Sequence, residues 1–151
     1  IDARNAFIMT TMLKDVVRGG TAARANSLGR SDLAGKTGTT NDSVDAWFAG
    51  YQPQLVGVAW LGFDQPKNMG GHETGSGLAL PVWINYMQKA LAGVPVEERP
   101  VPPGVVFEGG DWYYAEMPSG KILTNVGVGQ KDLDKMYETE NNSVKDEIFE
   151  D

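Results

Sequence analysis

The sequence predicts an α+β domain in which an antiparallel sheet is flanked by helices. Three observations support this prediction: a helical apolar pattern near the start, three consecutive strand-like segments after it, and a second helical pattern after those. Short connections between the strand-like segments favour an antiparallel meander with the helices packed on its faces. The chain has 151 residues, which is enough for one domain with a substantial core.

The first helix is predicted to begin at Asp2, a residue type that caps helices, and to run to about Val17. Apolar residues recur along it at one-face spacing, and its methionines are expected to fill the core. These apolar residues are Ile8, Met9, Met12, Leu13, Val16 and Val17. Gly19 and Gly20 are expected to end the helix, and a basic loop is predicted over residues 20–32.

Three strands follow, and a Gln-Pro-Gln turn joins the second to the third. The predicted strands are residues 33–40, 45–51 and 55–63. The third strand is apolar throughout, so both of its faces are expected to be covered. Trp47, Phe48 and Trp60 are expected to pack the sheet rather than to form a substrate platform, and Asp45 is expected to anchor a turn.

A glycine-rich loop is predicted over residues 64–78 and a second helix over residues 79–92. Pro81 fits the first turn of that helix, where its missing N–H donor is not needed. The buried face is expected to consist of Leu80, Trp83, Met87, Ala90 and Leu91. Further along, residues 105–107 and 112–115 flank two glycines as in a hairpin, and residues 121–124 are a candidate for one more strand.

Composition and charge exclude several kinds of function. The net charge of −7 disfavours nucleic acid as a partner, because most such affinity comes from cations on phosphates. The absence of cysteine rules out disulfides, thiolate catalysis and zinc-finger sites. The single histidine, His72, cannot form a histidine cluster and is expected to be solvated, so no metal and no cofactor is expected. No apolar run approaches the ~20 residues that a membrane span needs.

The residues that most need a chemical explanation are Lys36, Thr37, Gly38 and Thr39 in the first predicted strand. A glycine inside a strand marks a place where another group approaches the backbone closely. Side chains alternate along a strand, so the two threonines lie on one face and Lys36 and Gly38 on the other. On an edge strand this set would hold a carboxylate and an extended peptide, and a backbone N–H could stabilise an oxyanion. The alternative is an ordinary exposed strand with a solvated lysine.

The same letters allow a nucleotide-binding interpretation. Gly35, Lys36 and Thr37 match the end of the phosphate-binding motif G-x-x-x-x-G-K-[ST]. That motif needs glycine at position 30, which is Arg30, and Gly29 comes one residue too early. The motif should also lead into a helix, whereas the residues after Thr37 have little helical character. This interpretation therefore ranks below the peptide-docking strand.

Several segments around the strand occur in a fixed order. They are IDARNAFIMTTMLKDVV with GGTAARA, then AGKTGTTND, DAWFAGY, an apolar strand ending in GFD, and ALPVWINYMQKAL. Together they resemble the transpeptidase domain of bifunctional (class A) penicillin-binding proteins, and the resemblance covers about residues 1–106. Residues 107–130 are expected to form a small β extension, and residues 131–151 an acidic and mobile tail.

The resemblance implies a serine acyltransferase that cross-links peptidoglycan stem peptides and is acylated by β-lactams. In such a site Lys36 supplies positive potential, and Thr37 and Thr39 hold the carboxylate of the substrate or drug. The backbone N–H of Thr39 contributes to the oxyanion hole, and Gly38 leaves clearance. The resemblance also implies a periplasmic protein, with a glycosyltransferase domain and an inner-membrane anchor in the N-terminal remainder of the same polypeptide.

Two motifs of that family do not occur in this chain. There is no Ser-x-x-Lys, the nearest segment being residues 11–14, which begins with threonine inside a predicted helix. There is no Ser-x-Asn either. The chain alone is therefore expected not to perform acyl transfer, and further strands are expected beside residues 55–63. A noncatalytic peptidoglycan-binding or β-lactam-sensing module that kept the lysine strand is the alternative.

Overall fold

The structure, a computed structural model, describes residues 1–71 and 73–117. The elements in chain order are α1 (Ala3–Arg18), β1 (Ala34–Thr39), β2 (Asp45–Gln52), β3 (Leu55–Gly62), α2 (Leu80–Ala90), β4 (Val105–Glu108) and β5 (Asp111–Tyr114). Strands β1, β2 and β3 form an antiparallel sheet in that order, and β4 pairs with β5 as a hairpin. The predicted α+β class, the meander and the hairpin are confirmed.

Helix α1 begins as predicted, because the Asp2 carboxylate accepts a hydrogen bond from the Arg4 N–H at 2.8 Å and caps the first turn. Val17 is buried, whereas Met9 and Met12 are exposed. The prediction that these methionines fill the core is wrong for the described residues, which leave that side of α1 uncovered. The predicted basic loop after α1 also contains a 3₁₀ helix, Ala23–Leu28.

The core lies between the sheet and α2. Phe48 is fully buried and packs edge-on against Trp83, with ring centroids 4.9 Å apart. The Trp83 indole N–H donates to the Gly57 carbonyl at 3.1 Å, which satisfies its polar group inside the core. Leu80, Trp83, Met87 and Leu91 are buried as predicted. Ala90 is exposed, contrary to prediction, because it lies on the outer side of the last turn of α2.

Strand β3 shows an alternating pattern of burial, with Ala59 inside and Val56 and Val58 strongly exposed. The expectation that both faces of β3 are covered is therefore not met within the described residues. Trp47 and Trp60, which pair across β2 and β3, are 43% and 44% exposed. Phe48 packs inside the sheet core as predicted, whereas Trp47 and Trp60 pack against each other and keep more than two fifths of their surface exposed.

The glycine-rich segment after β3 is shorter as a loop than predicted, since Gly75–Ala79 forms a π-helical turn that runs directly into α2. The hairpin packs on α1, where Phe7 and Trp112 meet edge to face at 5.0 Å. The predicted strand at 121–124, the acidic tail at 131–151 and His72 lie outside the described residues. The segment boundaries at 106 and 130 stay predictions.

Candidate functional site

The four residues singled out in the sequence all lie in β1, at the edge of the sheet. Lys36 pairs with Ala49 of β2, and Gly38 pairs with Trp47. Gly35, Lys36 and Thr37 continue a strand and do not open a helix. The P-loop interpretation is therefore wrong, because its phosphate cradle requires a helix N-terminus at this point.

The hydrogen-bond pattern shows which backbone groups of β1 point away from the sheet. The Thr40 N–H donates to the Asp45 carbonyl at 3.1 Å, so this pair is a hydrogen-bonded one. Hydrogen-bonded and non-hydrogen-bonded pairs alternate in an antiparallel ladder, so Lys36 and Gly38 also direct their backbone groups to β2. Thr37 and Thr39 then direct their N–H and C=O groups to the free edge. Among the described residues, neither of these two N–H groups has a backbone acceptor.

The side chains of the motif have partners that orient them. The Lys36 ammonium is exposed and donates to the Thr37 carbonyl at 2.9 Å. The Thr37 hydroxyl lies 2.7 Å from the Thr21 hydroxyl. The Thr39 hydroxyl oxygen accepts from the Gly75 N–H at 3.0 Å, which leaves its own O–H free to donate to another acceptor. The edge therefore presents an ammonium, an oriented hydroxyl donor and two backbone N–H groups.

Gly75 also belongs to this site, although it was not among the predicted site residues. A Cβ placed on Gly75 would lie 2.4 Å from the Trp47 carbonyl oxygen and 2.5 Å from that of Gly38. The π-helical turn thus rests directly on the backbone of the Gly38–Trp47 pair, and only glycine fits there. The glycine-serine-glycine run at 75–77 was the available signal. A Cβ on Gly38 itself would meet Trp47 Cβ at 3.3 Å, which is tight but less severe.

The face of the sheet that carries Lys36 also carries two exposed indoles. Trp47 and Trp60 have ring centroids 5.9 Å apart, and the Trp60 N–H donates to the Asp45 carboxylate at 2.8 Å. The Asp45 N–H donates to the Thr40 hydroxyl at 2.8 Å, which holds the turn between β1 and β2 as predicted. Asp45 therefore anchors both that turn and an indole of the neighbouring strand.

A buried ion pair lies just before β1 and was also missed. The Asp32 side chain is 0% exposed and binds Arg30 through two parallel contacts, Nε to Oδ1 at 2.9 Å and Nη2 to Oδ2 at 2.6 Å. Asp32 Oδ2 also accepts from the Glu97 N–H at 3.1 Å. Arg30 donates further to the carbonyls of Val94, at 2.6 Å, and Pro95, at 3.0 Å. These contacts join the start of β1 to the linker that follows α2.

The pKa of Asp32 reflects this environment. Burial acts to raise it, but the hydrogen bonds from Arg30 and from the Glu97 N–H, together with the Arg30 charge, lower it by more. Asp32 is therefore ionised at neutral pH, and the pair is intact there. Next to it, Glu98 binds Lys14 and accepts from the Ser31 hydroxyl at 2.7 Å.

The described residues contain no group of three or more His, Cys, Asp or Glu side chains arranged to hold a metal ion. None of the helices within residues 1–71 and 73–117 has the length and apolar character needed to cross a membrane.

Comparisons with known proteins point in one direction. No family model matches the chain. It is 44% identical to penicillin-binding protein 1A of Neisseria gonorrhoeae over 150 residues, which are 97% of this chain and 19% of that protein. It is 56% identical to penicillin-binding protein 1A of Pseudomonas aeruginosa over 106 residues, 70% of this chain and 13% of that protein. The chain thus spans about a fifth or less of the length of these curated relatives.

A solved structure agrees with the sequence matches. The crystal structure of penicillin-binding protein 1A from Haemophilus influenzae superposes with a TM-score of 0.69 at 34% identity. The match covers 76% of this chain and 20% of that one. The likeness therefore extends to the fold over most of the described residues.

Proposed function

Because the chain belongs, as a segment, to the class A penicillin-binding proteins, we propose that it supplies the substrate-binding strand of a peptidoglycan D,D-transpeptidase. The observation that carries this proposal is the edge of β1, where the Thr37 and Thr39 N–H groups have no backbone acceptor within the described part of the chain and lie beside the Lys36 ammonium. An extended stem peptide, or a β-lactam that mimics its end, would lie along this edge and pair with those groups.

Each residue has a proposed role. The Thr39 N–H would stabilise the oxyanion that forms when a serine attacks the substrate carbonyl or the lactam. The Thr37 and Thr39 hydroxyls would hold the carboxylate of the substrate or drug. Lys36 would supply positive potential to the same region, and Gly38 would keep the strand free of a side chain where the ligand passes.

The nucleophile has to come from outside this chain, since no Ser-x-x-Lys or Ser-x-Asn occurs in it. We propose that the rest of the same polypeptide supplies both motifs, a membrane anchor and a glycosyltransferase domain, and that the protein works in the periplasm at the inner membrane. A noncatalytic peptidoglycan-binding module is the second candidate, and it would be distinguished by failing to be acylated.

The test is the replacement of Lys36 by alanine in the complete protein, with labelling by fluorescent penicillin as the assay. Loss of a charged hydrogen-bond partner costs about 1.5–3 kcal/mol, and each ~1.4 kcal/mol is tenfold in rate. Acylation should therefore slow roughly ten- to hundredfold. Lys36→Arg should also impair it, because a planar fork does not replace a compact ammonium. The melting temperature should barely change, since the side chain is exposed.

The matched control is Lys89→Ala, which removes the same charge from an exposed position near the end of α2. It should acylate at the wild-type rate. The chain alone should not be labelled at all. If Lys36→Ala acylates as fast as wild type, Lys36 is only a solvated strand residue. If Lys36→Ala melts at a much lower temperature than wild type, the role of Lys36 is structural. Labelling of a serine in the isolated chain would refute the proposal that the nucleophile lies outside this chain.

A further inference from the structure

Strand β1 needs support beyond its own ladder, because it contains Gly35 and Gly38 and, among residues 1–71 and 73–117, it pairs on one side only. Register is weakly specified in glycine-rich strands, and a slip by one residue turns every side chain to the opposite face. Such a slip would exchange the positions of Lys36 and Thr37. The contacts that hold the residues just before β1 therefore affect the site without touching a ligand.

The Arg30–Asp32 pair is placed to give this support. Asp32 precedes the first residue of β1, Ala34, by two positions, and the intervening Leu33 is buried. Lys36 lies four positions after Asp32, which is about 13 Å along an extended strand. The pair is thus too far away to contact a ligand that lies beside Lys36, Thr37 and Thr39, but it fixes the position at which β1 begins.

The partners of the pair make it a geometric constraint. Arg30 and Asp32 bind each other in two parallel contacts, and both also bind backbone groups of residues 94–97. Bidentate arginine–carboxylate contacts impose a specific orientation as well as attraction. The chain turns sharply on both sides of the contact, since Gly29 has φ 65° and Gly93 has φ 77°, values that favour glycine. A turn at a glycine thus precedes each of the two segments that the ion pair joins.

Stability alone is a poor explanation for the pair. Burying two charges costs desolvation energy, and replacing buried ion pairs with apolar side chains is often neutral or stabilising. We propose that Arg30 and Asp32 are positioning residues for the acylation site, which set the register of β1 and so the placement of Lys36, Thr37 and Thr39. This inference rests on the proposed function of the strand.

The experiment uses Asp32→Asn and Arg30→Lys in the complete protein, assayed well below the melting temperature. A misplacement of 1 Å in a reacting geometry can cost about a hundredfold in rate, so acylation by fluorescent penicillin should slow roughly ten- to hundredfold. Hydrogen exchange should also accelerate at the Lys36 and Gly38 amides, which face β2. A residue that only adds global stability would lower the melting temperature and leave the acylation rate unchanged under these conditions. Exchange would then accelerate at protected amides throughout the core and not selectively at Lys36 and Gly38.

The matched control is Glu97→Gln, which removes a charge from the same linker. The Glu97 carboxylate accepts from Gln54, and the substitution keeps the backbone N–H that donates to Asp32. It should leave both readouts at wild-type values. Wild-type acylation and exchange in Asp32→Asn would overturn the inference, and so would an equal slowing in Glu97→Gln. If Asp32→Asn does not fold, Arg30→Lys is judged by the same criteria. If Lys36→Ala acylates normally, the proposed function fails, and the exchange readout alone then decides the register claim.

Discussion

The contact between Gly75 and the sheet offers the sharpest test of how the site is built. In Gly75→Ala the new Cβ would lie 2.4 Å from the Trp47 carbonyl oxygen and 2.5 Å from the Gly38 carbonyl oxygen, whereas ordinary contact begins at 3.4 Å. Both neighbours are backbone atoms of paired strands, so no side chain can rotate away. The π-helical turn must move by about 1 Å, and overpacking of this kind costs ~1–3 kcal/mol.

The same shift should also displace the Thr39 hydroxyl, because the Gly75 N–H donates a hydrogen bond to it at 3.0 Å. We expect acylation by fluorescent penicillin in the complete protein to fall by roughly ten- to hundredfold. Gly77→Ala is the control, since its Cβ would meet only the Thr74 hydroxyl at 3.4 Å in the same turn. It should acylate normally. Equal behaviour of the two variants would refute the view that close packing of this turn shapes the strand.

Two further predictions concern the energetics of the fold. Trp83→Ala should lower the free energy of unfolding by ~3–5 kcal/mol, because it removes the buried indole of α2 that packs on Phe48 and leaves a cavity there. Urea unfolding of the variant and of wild type measures this difference. Asp32 has a pKa held below its ordinary value of 3.8, so its contribution to stability is complete above that pH and is lost as pH falls through the folded-state pKa. The acid limb of a stability–pH curve should therefore be shallower in Asp32→Asn. Glu98 titrates in both proteins, and its pKa is lowered mainly by the hydrogen bond from Lys14. The Asp32 charge is only a minor cause that acts to raise it, so the Glu98 contribution largely cancels in the comparison. Identical acid limbs would contradict the assignment.

The sequence predicted those parts of the molecule that depend on local pattern. The bounds of β1, β2 and β3 agree with prediction to within one residue, because turn residues and alternation are written into neighbouring positions. The buried face of α2 was correct except for Ala90, a residue small enough to be neutral on either side of a helix. The lysine strand and its family resemblance were likewise visible as an ordered run of short segments.

The contacts that support the site were not predictable in this way. Arg30 and the carbonyl of Val94 are 64 positions apart, and nothing near either residue indicates the other. In the sequence, Gly75 is one of several glycines in a predicted loop. Its steric role becomes visible only in the structure, where the π-helical turn packs on the backbone of Gly38 and Trp47. The burial predicted for Met9 and Val58 was wrong for a different reason. An apolar stripe predicts a covered face, but it does not say whether the covering residues belong to the same stretch of chain.

The exposed face of β3 and the missing nucleophile have a common explanation under the proposed function. In the part of the chain that the structure describes, β3 has a free strand edge and exposes Val56, Val58 and Trp60, a combination that favours association with another strand or layer. The strand order β1-β2-β3 means that the sheet can grow at β3 without obstructing β1. Relatives about five times longer than this chain have enough additional polypeptide both to supply a nucleophile and to cover β3. The part of the protein that brings the serine can therefore also cover β3, which would leave the edge of Thr37 and Thr39 as the one side of the sheet open to a peptide.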